Sequence, residues 1–274
     1  RPMPSGVTEL TWLRRGEAFK LAFSLPADFP DLIEALRALG IAHVHFHHVI
    51  GHDPCVWGIA ARLGVRYDYT VHDYYAVCPQ ISLTESTNRY CGELGEEQCR
   101  ACLKRTPAPG RVSIAAWRAP FSQLLGGARY VLAPSQDAAS RIARYIPQAA
   151  VRTVPHNDIA GEAAPPDPKP IGDRPLRVVV IGAMSPIKGA DILEETAKLS
   201  STSKAGVEFH LLGYAYRPLT TQPKARLTVH GAYDEKDLGA LLDWIKPDLV
   251  WFPALWPETY SYTLSACLNA ALPV

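Results

Sequence analysis

The sequence has no excess charge of either sign, no long apolar run, no internal repeat and no low-complexity tract. Its 28 Lys plus Arg are offset by 27 Asp plus Glu, so nothing in the net charge favours nucleic acid or an acidic membrane as the main partner. No apolar stretch reaches the roughly 20 residues that span a bilayer, which argues against a transmembrane segment. The opening Arg1-Pro2-Met3-Pro4-Ser5 lacks the apolar core of a secretory leader. These absences point to a cytoplasmic enzyme, with peripheral contact at the inner face of a membrane still open.

At 274 residues the chain exceeds what one core favours, and two α/β domains facing a cleft are expected. In such a compartment its six cysteines stay reduced rather than forming a disulfide framework. Cys78, Cys91, Cys99 and Cys102 share one polar stretch, while Cys55 and Cys267 lie among apolar residues and read as core.

Strand and helix patterns alternate along the chain. A βαβ unit is expected from a strand at 44–47, a helix at 56–63 and a strand at 67–71. Residues 76–109 are rich in Cys, Glu, Asn and Pro without periodicity and read as an elaborated loop. A helix at 112–125 and a strand at 129–133 follow, and then Ser135 as the N-cap of a helix ending at Tyr145. The Pro, Asp, Gly and Ala of 158–175 mark a linker between an N-terminal domain at 1–157 and a C-terminal domain at 176–274. Beyond it, strands are expected at 176–181, 209–213, 227–230 and 249–253, with helices at 189–199 and 236–244. The economical assembly is a pair of Rossmann-like doubly wound sheets.

In such a sheet, ligands bind at the carboxyl ends of the strands, where helix N-termini direct unpaired N–H groups outward. After the strand ending at Ile181, Gly182 permits a tight turn and Lys188-Gly189 supplies one ammonium at a helix start. Lys188 fits a diphosphate as a point charge, or it is a solvated surface lysine. After the strand that includes Phe252, Glu258 precedes the amides of another helix, where it could accept sugar hydroxyls or merely complement the helix dipole.

Taken together, these segments resemble the C-terminal domain of the retaining family 4 glycosyltransferases of the GT-B fold. The resemblance rests on the Gly turn with Lys188-Gly189, on Trp256-Pro257-Glu258-Thr259, and on the small-residue helix running into Leu272-Pro273-Val274. The N-terminal half adds Val71-His72-Asp73-Tyr74-Tyr75, Ala133-Pro134-Ser135 and Val154-Pro155-His156-Asn157. The resemblance implies a hexosyltransferase that takes a nucleotide-diphosphate sugar as donor. The acceptor would be a glycan or lipid-linked sugar, as in bacterial surface polysaccharide synthesis.

Carried over by position, Gly182, Lys188 and Gly189 would hold the diphosphate, Glu258 the sugar hydroxyls, and Thr259, Tyr260, Ser261 and Tyr262 would stand by the phosphate. His72 would face the sugar from the other domain and act with Glu258 in catalysis. His47, His48 and Asp73 read as an acceptor-side group, or as a wet strand face with a loop cap. No catalytic metal and no protein nucleophile are implied. The chain departs from the family pattern at Met184, where an Arg is common, and at Ala266, where a second Glu usually serves the nucleotide ribose.

Cys99 and Cys102 have the two-residue gap of a metal knuckle. With Cys78 and Cys91 they could close a structural zinc site, remain separate thiols or form a redox pair. Both ends of the chain read as cut, as in an internal portion of a longer polypeptide or an unusually reduced relative, which makes the GT-B pattern incomplete and implies little transferase activity for the isolated chain. A nucleotide-sugar epimerase, a phosphorylase of the same architecture and a non-catalytic remnant that binds sugar or a partner protein are the competing readings.

Overall fold

The computed structural model describes residues 2–3, 6–14, 17–156, 173–203 and 206–274. The expected linker falls, over 158–172, outside the described residues. The chain forms two compact units, Arg1–Pro79 with Val112–Pro155, and Gln80–Arg111 with His156–Val274. Gln80–Arg111 thus packs with the second unit, although the residues flanking it in sequence belong to the first.

The first unit opens with strands β1 (Val7–Arg14) and β2 (Glu17–Ser24), an antiparallel pair that sets Trp12 opposite Phe19. Helix α1 (Phe29–Ala38) follows; neither the pair nor this helix was expected. Strands β3 (His43–Phe46), β4 (Arg66–Thr70), β5 (Val131–Ala133) and β6 (Val151–Thr153) form a parallel sheet in the order β3-β4-β5-β6. A 3-10 turn at Pro54–Gly58 and α2 (Ile59–Leu63) replace the single helix expected at 56–63, with the poor helix former Gly58 at their junction. Between β4 and β6 lie α4 (Ile114–Gly126) and α5 (Gln136–Tyr145). Ser135 caps α5 as expected, its hydroxyl accepting from the Ala138 N–H at 3.2 Å.

The segment read as a loop at 76–109 contains α3 (Glu96–Arg105). This helix has no buried residue, so it left no apolar stripe in the sequence. Glu96 and Glu97 at its start and Lys104 and Arg105 at its end complement the helix dipole.

The second unit is built on a parallel sheet of β7 (Leu176–Met184), β8 (Val207–Ala215), β9 (Leu227–Gly231) and β10 (Leu249–Val250), in the order β10-β7-β8-β9. Alternate residues of β7 enter opposite cores. Val178 and Val180 pack with Leu193 and Ala197 of α6 (Ala190–Thr202), whereas Val179 and Ile181 pack with Leu242 and Ile245 of α7 (Leu238–Ile245) and with Cys267 of α8 (Tyr262–Asn269). Helices therefore cover both faces, which explains the unbroken apolar run of β7. Cys267 is core as expected, while Cys55 is only half-buried.

Strand β10 stops at Val250, short of the expected 253. The Trp251 N–H still donates to the Val179 carbonyl at 2.8 Å, but Pro253 has no N–H to extend the ladder. On the other side of β10, the Val250 N–H donates to the Pro273 carbonyl at 2.8 Å. Gly182 and Gly213 face each other in the β7–β8 register. A Cβ on Gly213 would lie 2.0 Å from the Gly182 carbonyl oxygen, so only glycine fits there.

Candidate functional site

The order β10-β7-β8-β9 creates a switch point between β7 and β10. From β7 the chain passes through α6 on one face, and it reaches β10 through α7 on the other. The loops after β7 and β10 are left adjacent at the carboxyl end, where such sheets bind ligands.

Both sequence-derived donor segments lie in these loops. After β7, Ser185–Gly189 forms a tight turn, with the Lys188 N–H donating to the Ser185 carbonyl at 3.1 Å and the Gly189 N–H to Pro186 at 3.0 Å. Gly189 begins α6 at φ +84°, and a Cβ there would lie 2.1 Å from the Pro253 carbonyl oxygen. The two loops thus touch through backbone, locked by the Leu255 N–H donating to the Ile187 carbonyl at 2.8 Å.

That contact brings Lys188 Nζ to 3.8 Å from Glu258 Oε1, with the Lys188 side chain half-exposed and Glu258 more sheltered. Val180, Phe252, Ser261 and Thr263 line the same small recess. Ser261 caps α8, its hydroxyl accepting from the Leu264 N–H at 3.3 Å. Thr259 is buried, and the Tyr260 hydroxyl accepts from Ser265 Oγ at 2.8 Å. Tyr262 lies parallel to His156 with ring centroids 5.8 Å apart, and Tyr260 meets the same imidazole edge-on. His156, read from sequence only as part of a turn, is therefore part of an aromatic group at the start of α8.

A second support was not legible in sequence. In the Gln80–Arg111 segment, Thr84 and Tyr90 form an antiparallel bridge, and the Tyr90 N–H donates to the Leu255 carbonyl at 2.9 Å. Leu255 is thus held on one side by the Lys188 turn and on the other by this hairpin.

At Met184, where the family resemblance leads one to look for a cation, the side chain is buried in the α6-side core. At Ala266 the side chain packs at the edge of the opposite core.

In the first unit, four side-chain pairs cross from β3 and its following loop to β4 and the loop after it. His43 pairs with Asp68 at 2.9 Å, His45 with Thr70 at 2.7 Å, His47 with His72 at 3.1 Å and His48 with Asp73 at 2.9 Å. The Arg129 guanidinium, with help from His43, holds the Asp68 carboxyl down at about 2 despite its burial. Burial and the neighbouring His47 push His45 below its usual value, which keeps that ring neutral.

Nδ1 of His48 accepts from the Ile50 N–H at 2.9 Å, so its proton lies on Nε2 and is donated to Asp73. Asp73 also accepts from the Tyr75 N–H at 2.8 Å. It therefore orients His48 and caps its own loop. His47 and His72 share one hydrogen bond, one ring donating and the other accepting.

The four-cysteine zinc site, one of three readings of the sequence, finds no support among the described residues. Cys78 lies in the first unit, where its N–H closes a turn onto the Tyr74 carbonyl at 2.8 Å, while Cys91, Cys99 and Cys102 lie in the second. Among the described residues no disulfide joins any of the six cysteines, and no group of three or more His, Cys, Asp or Glu is arranged to hold a metal ion. Burial pushes the Cys91 and Cys102 thiols up. Among the described residues no helix is long and apolar enough to cross a membrane.

No protein-family model matches the sequence, and no curated protein matches it. Solved structures do. HepE from Anabaena, in complex with UDP, aligns with a TM-score of 0.51 at 14% identity over 88% of this chain and 60% of its own. The GtfA/B complex aligns at 0.55 and 13% identity over 92% of this chain and 45% of its own. The α,α-trehalose-phosphate synthase (UDP-forming) from Burkholderia vietnamiensis aligns at 0.52 and 11% identity over 89% and 60%. The fold is that of the GT-B glycosyltransferases. At these identities the likeness is one of GT-B architecture, and the chain spans 45% to 60% of the length of the three structures.

Proposed function

We propose that this chain carries the donor site of a retaining hexosyltransferase of family 4 type, moving a sugar from a nucleoside diphosphate to a glycan or lipid-linked acceptor. One observation carries the reading: Lys188 and Glu258 meet at 3.8 Å at the switch point of the second sheet. A cation and a hydroxyl-accepting carboxylate side by side match the two halves of a sugar diphosphate. HepE bound to UDP and the UDP-forming trehalose-phosphate synthase support the choice of donor class.

In this mechanism the donor diphosphate takes Lys188 from Glu258, and Glu258 turns to the sugar hydroxyls. Lys188 and the amides at the start of α8 then stabilise the charge that grows on the leaving diphosphate, an electrostatic contribution of about 3 kcal/mol per well-placed donor. The acceptor hydroxyl attacks from the face the diphosphate leaves, and a donor phosphate oxygen takes its proton. His72 contacts the sugar, and His47, His48 and Asp73 belong to the acceptor side. The acceptor is that of a bacterial surface polysaccharide, assembled at the inner face of the membrane.

Calorimetric titration with UDP, ADP, GDP and their glucose conjugates tests the donor class. Binding of one base that falls at least about tenfold in Lys188→Ala is expected. No binding by any of them favours a non-catalytic remnant, for which the burial of Met184 and the lack of a carboxylate at Ala266 are the specific observations. Proton NMR of the product's anomeric linkage tests retention.

A further inference from the structure

Helix α3 buries no residue, so it has no buried apolar stripe to hold it against the hairpin that precedes it. An ion pair joins the two. In the last turn of the helix, Arg105 Nη2 lies 3.5 Å from Glu85 Oε2 of the hairpin. A half-exposed pair of this kind holds little by itself.

Two thiols lie at the same junction. Cys102 stands about one helical turn before Arg105 and shares its face of α3. In the hairpin, the Thr84–Tyr90 bridge and the Glu85 N–H donating to the Arg89 carbonyl at 2.9 Å make Glu85 and Cys91 diagonal neighbours on one face. The Glu85–Arg105 pair therefore brings the helix face with Cys102 onto the hairpin face with Cys91. The electrostatics agree: burial first pushes the Cys102 thiol up, and the charges of Glu85 and of Cys91 add to it. Cys99 is a poorer match for Cys102. Residues three apart on a helix keep their Cβ atoms about 5 to 6 Å apart, wider than the roughly 4 Å that a disulfide needs.

We propose that Cys91 and Cys102 form a reversible disulfide that clips α3 to the hairpin. Tyr90, the residue before Cys91, donates its N–H to the Leu255 carbonyl. The clip would therefore brace the loop that carries Glu258. Closing it removes two electrons and two protons from the thiols, and the oxidant is a small-molecule disulfide. One thiol gives its proton to solvent, and the thiolate attacks a sulfur of the oxidant and expels the other half. The second thiol loses its proton in the same way and attacks the protein sulfur of the mixed disulfide. The Cys91–Cys102 bond forms and the remaining half leaves; the two expelled thiolates take up the two protons. Only the thiolate reacts, and both thiols are pushed up, so the exchange is slow at neutral pH and quickens as the pH rises.

The experiment treats the reduced whole chain with oxidised glutathione and labels the remaining thiols with N-ethylmaleimide. Two fewer labels, the loss of two hydrogens from the intact mass and a mapped peptide joining Cys91 to Cys102 are expected, and dithiothreitol should restore both labels. Cys99→Ser should form the same link, whereas Cys102→Ser should stop at a glutathione adduct. Hydrogen exchange at the Tyr90 amide should slow at least about tenfold on oxidation of the parent. In Cys102→Ser the same treatment should leave it unchanged.

A link between any other pair, glutathione adducts without a link in the parent, or thiols that resist labelling until a zinc chelator is added would each overturn the proposal. A Cys91–Cys102 link that leaves Tyr90 exchange unchanged overturns its bracing of the Glu258 loop. None of these readouts involves a nucleotide, so they leave the donor reading to the calorimetry above.

Discussion

The backbone of Gly189 approaches the carbonyl of Pro253 so closely that a methyl group on Gly189 would sit 2.1 Å from the oxygen. This contact joins the two loops that carry Lys188 and Glu258. Gly189→Ala forces the loops apart and also places a side chain at φ +84°. Strain and overpacking together should cost about 2 to 4 kcal/mol. Urea denaturation should show the loss. Gly182→Ala, where a Cβ meets nothing within 4 Å, should cost less, because only the φ strain remains.

Lys188 and Glu258 should matter far more to binding than to folding. Their 3.8 Å pair is half-exposed on the lysine side, and pairs of this kind contribute at most about 1 kcal/mol to stability. Lys188→Ala and Glu258→Gln are therefore expected to shift the melting temperature by no more than a few degrees. Each should weaken binding of a nucleotide sugar about tenfold or more. Equal loss of stability and binding in both variants would point to a structural pair instead.

The link from Tyr90 to Leu255 runs through main chain, so the side chain of Tyr90 should be dispensable where its N–H is not. Tyr90→Pro removes the donor of the 2.9 Å bond and should loosen the Glu258 loop, reducing donor affinity several-fold. Tyr90→Ala keeps the N–H and should bind nearly as the parent does. Titration of both variants with the best-bound nucleotide distinguishes them, and equal behaviour would show that the hairpin does not position the loop.

Acid stability should depend on Arg217. Hydrogen bonds from Arg217, then from the Thr220 N–H, hold the buried Glu194 carboxyl at about 2, below its usual 4.5. A carboxyl lowered by folding stabilises the protein above its unfolded value, and that contribution is lost as the pH falls from about 4.5 towards about 2. Arg217→Met should therefore destabilise the protein at pH 7. It should also flatten the pH dependence between those limits, as read from urea midpoints at several pH values.

The parts legible in sequence were those whose signal is local. The apolar run of β7, the Ser135 cap and the Lys188 turn each carry their own explanation within a few residues. Helix α3 hid because it buries nothing, and the first antiparallel pair lay before the segments whose alternation was read. Glu258 and Lys188 were found separately, but their meeting depends on the strand order, which no local pattern encodes. The four cysteines show the same limit from the other side, because their closeness in sequence carries no sign that the chain passes from one unit to the other between Cys78 and Cys91.

That passage has a consequence for dissecting the protein. The polypeptide changes unit after Pro79, after Arg111 and after Pro155, so the units are joined by three covalent crossings. A single cut anywhere in 157–172 yields two chains and leaves residues 80–111 on the one without Lys188 and Glu258. A fragment begun after such a cut would carry Lys188 and Glu258 but lose the hairpin that grips Leu255. Faithful isolation of the second unit requires grafting residues 80–111 onto it as a separate insertion.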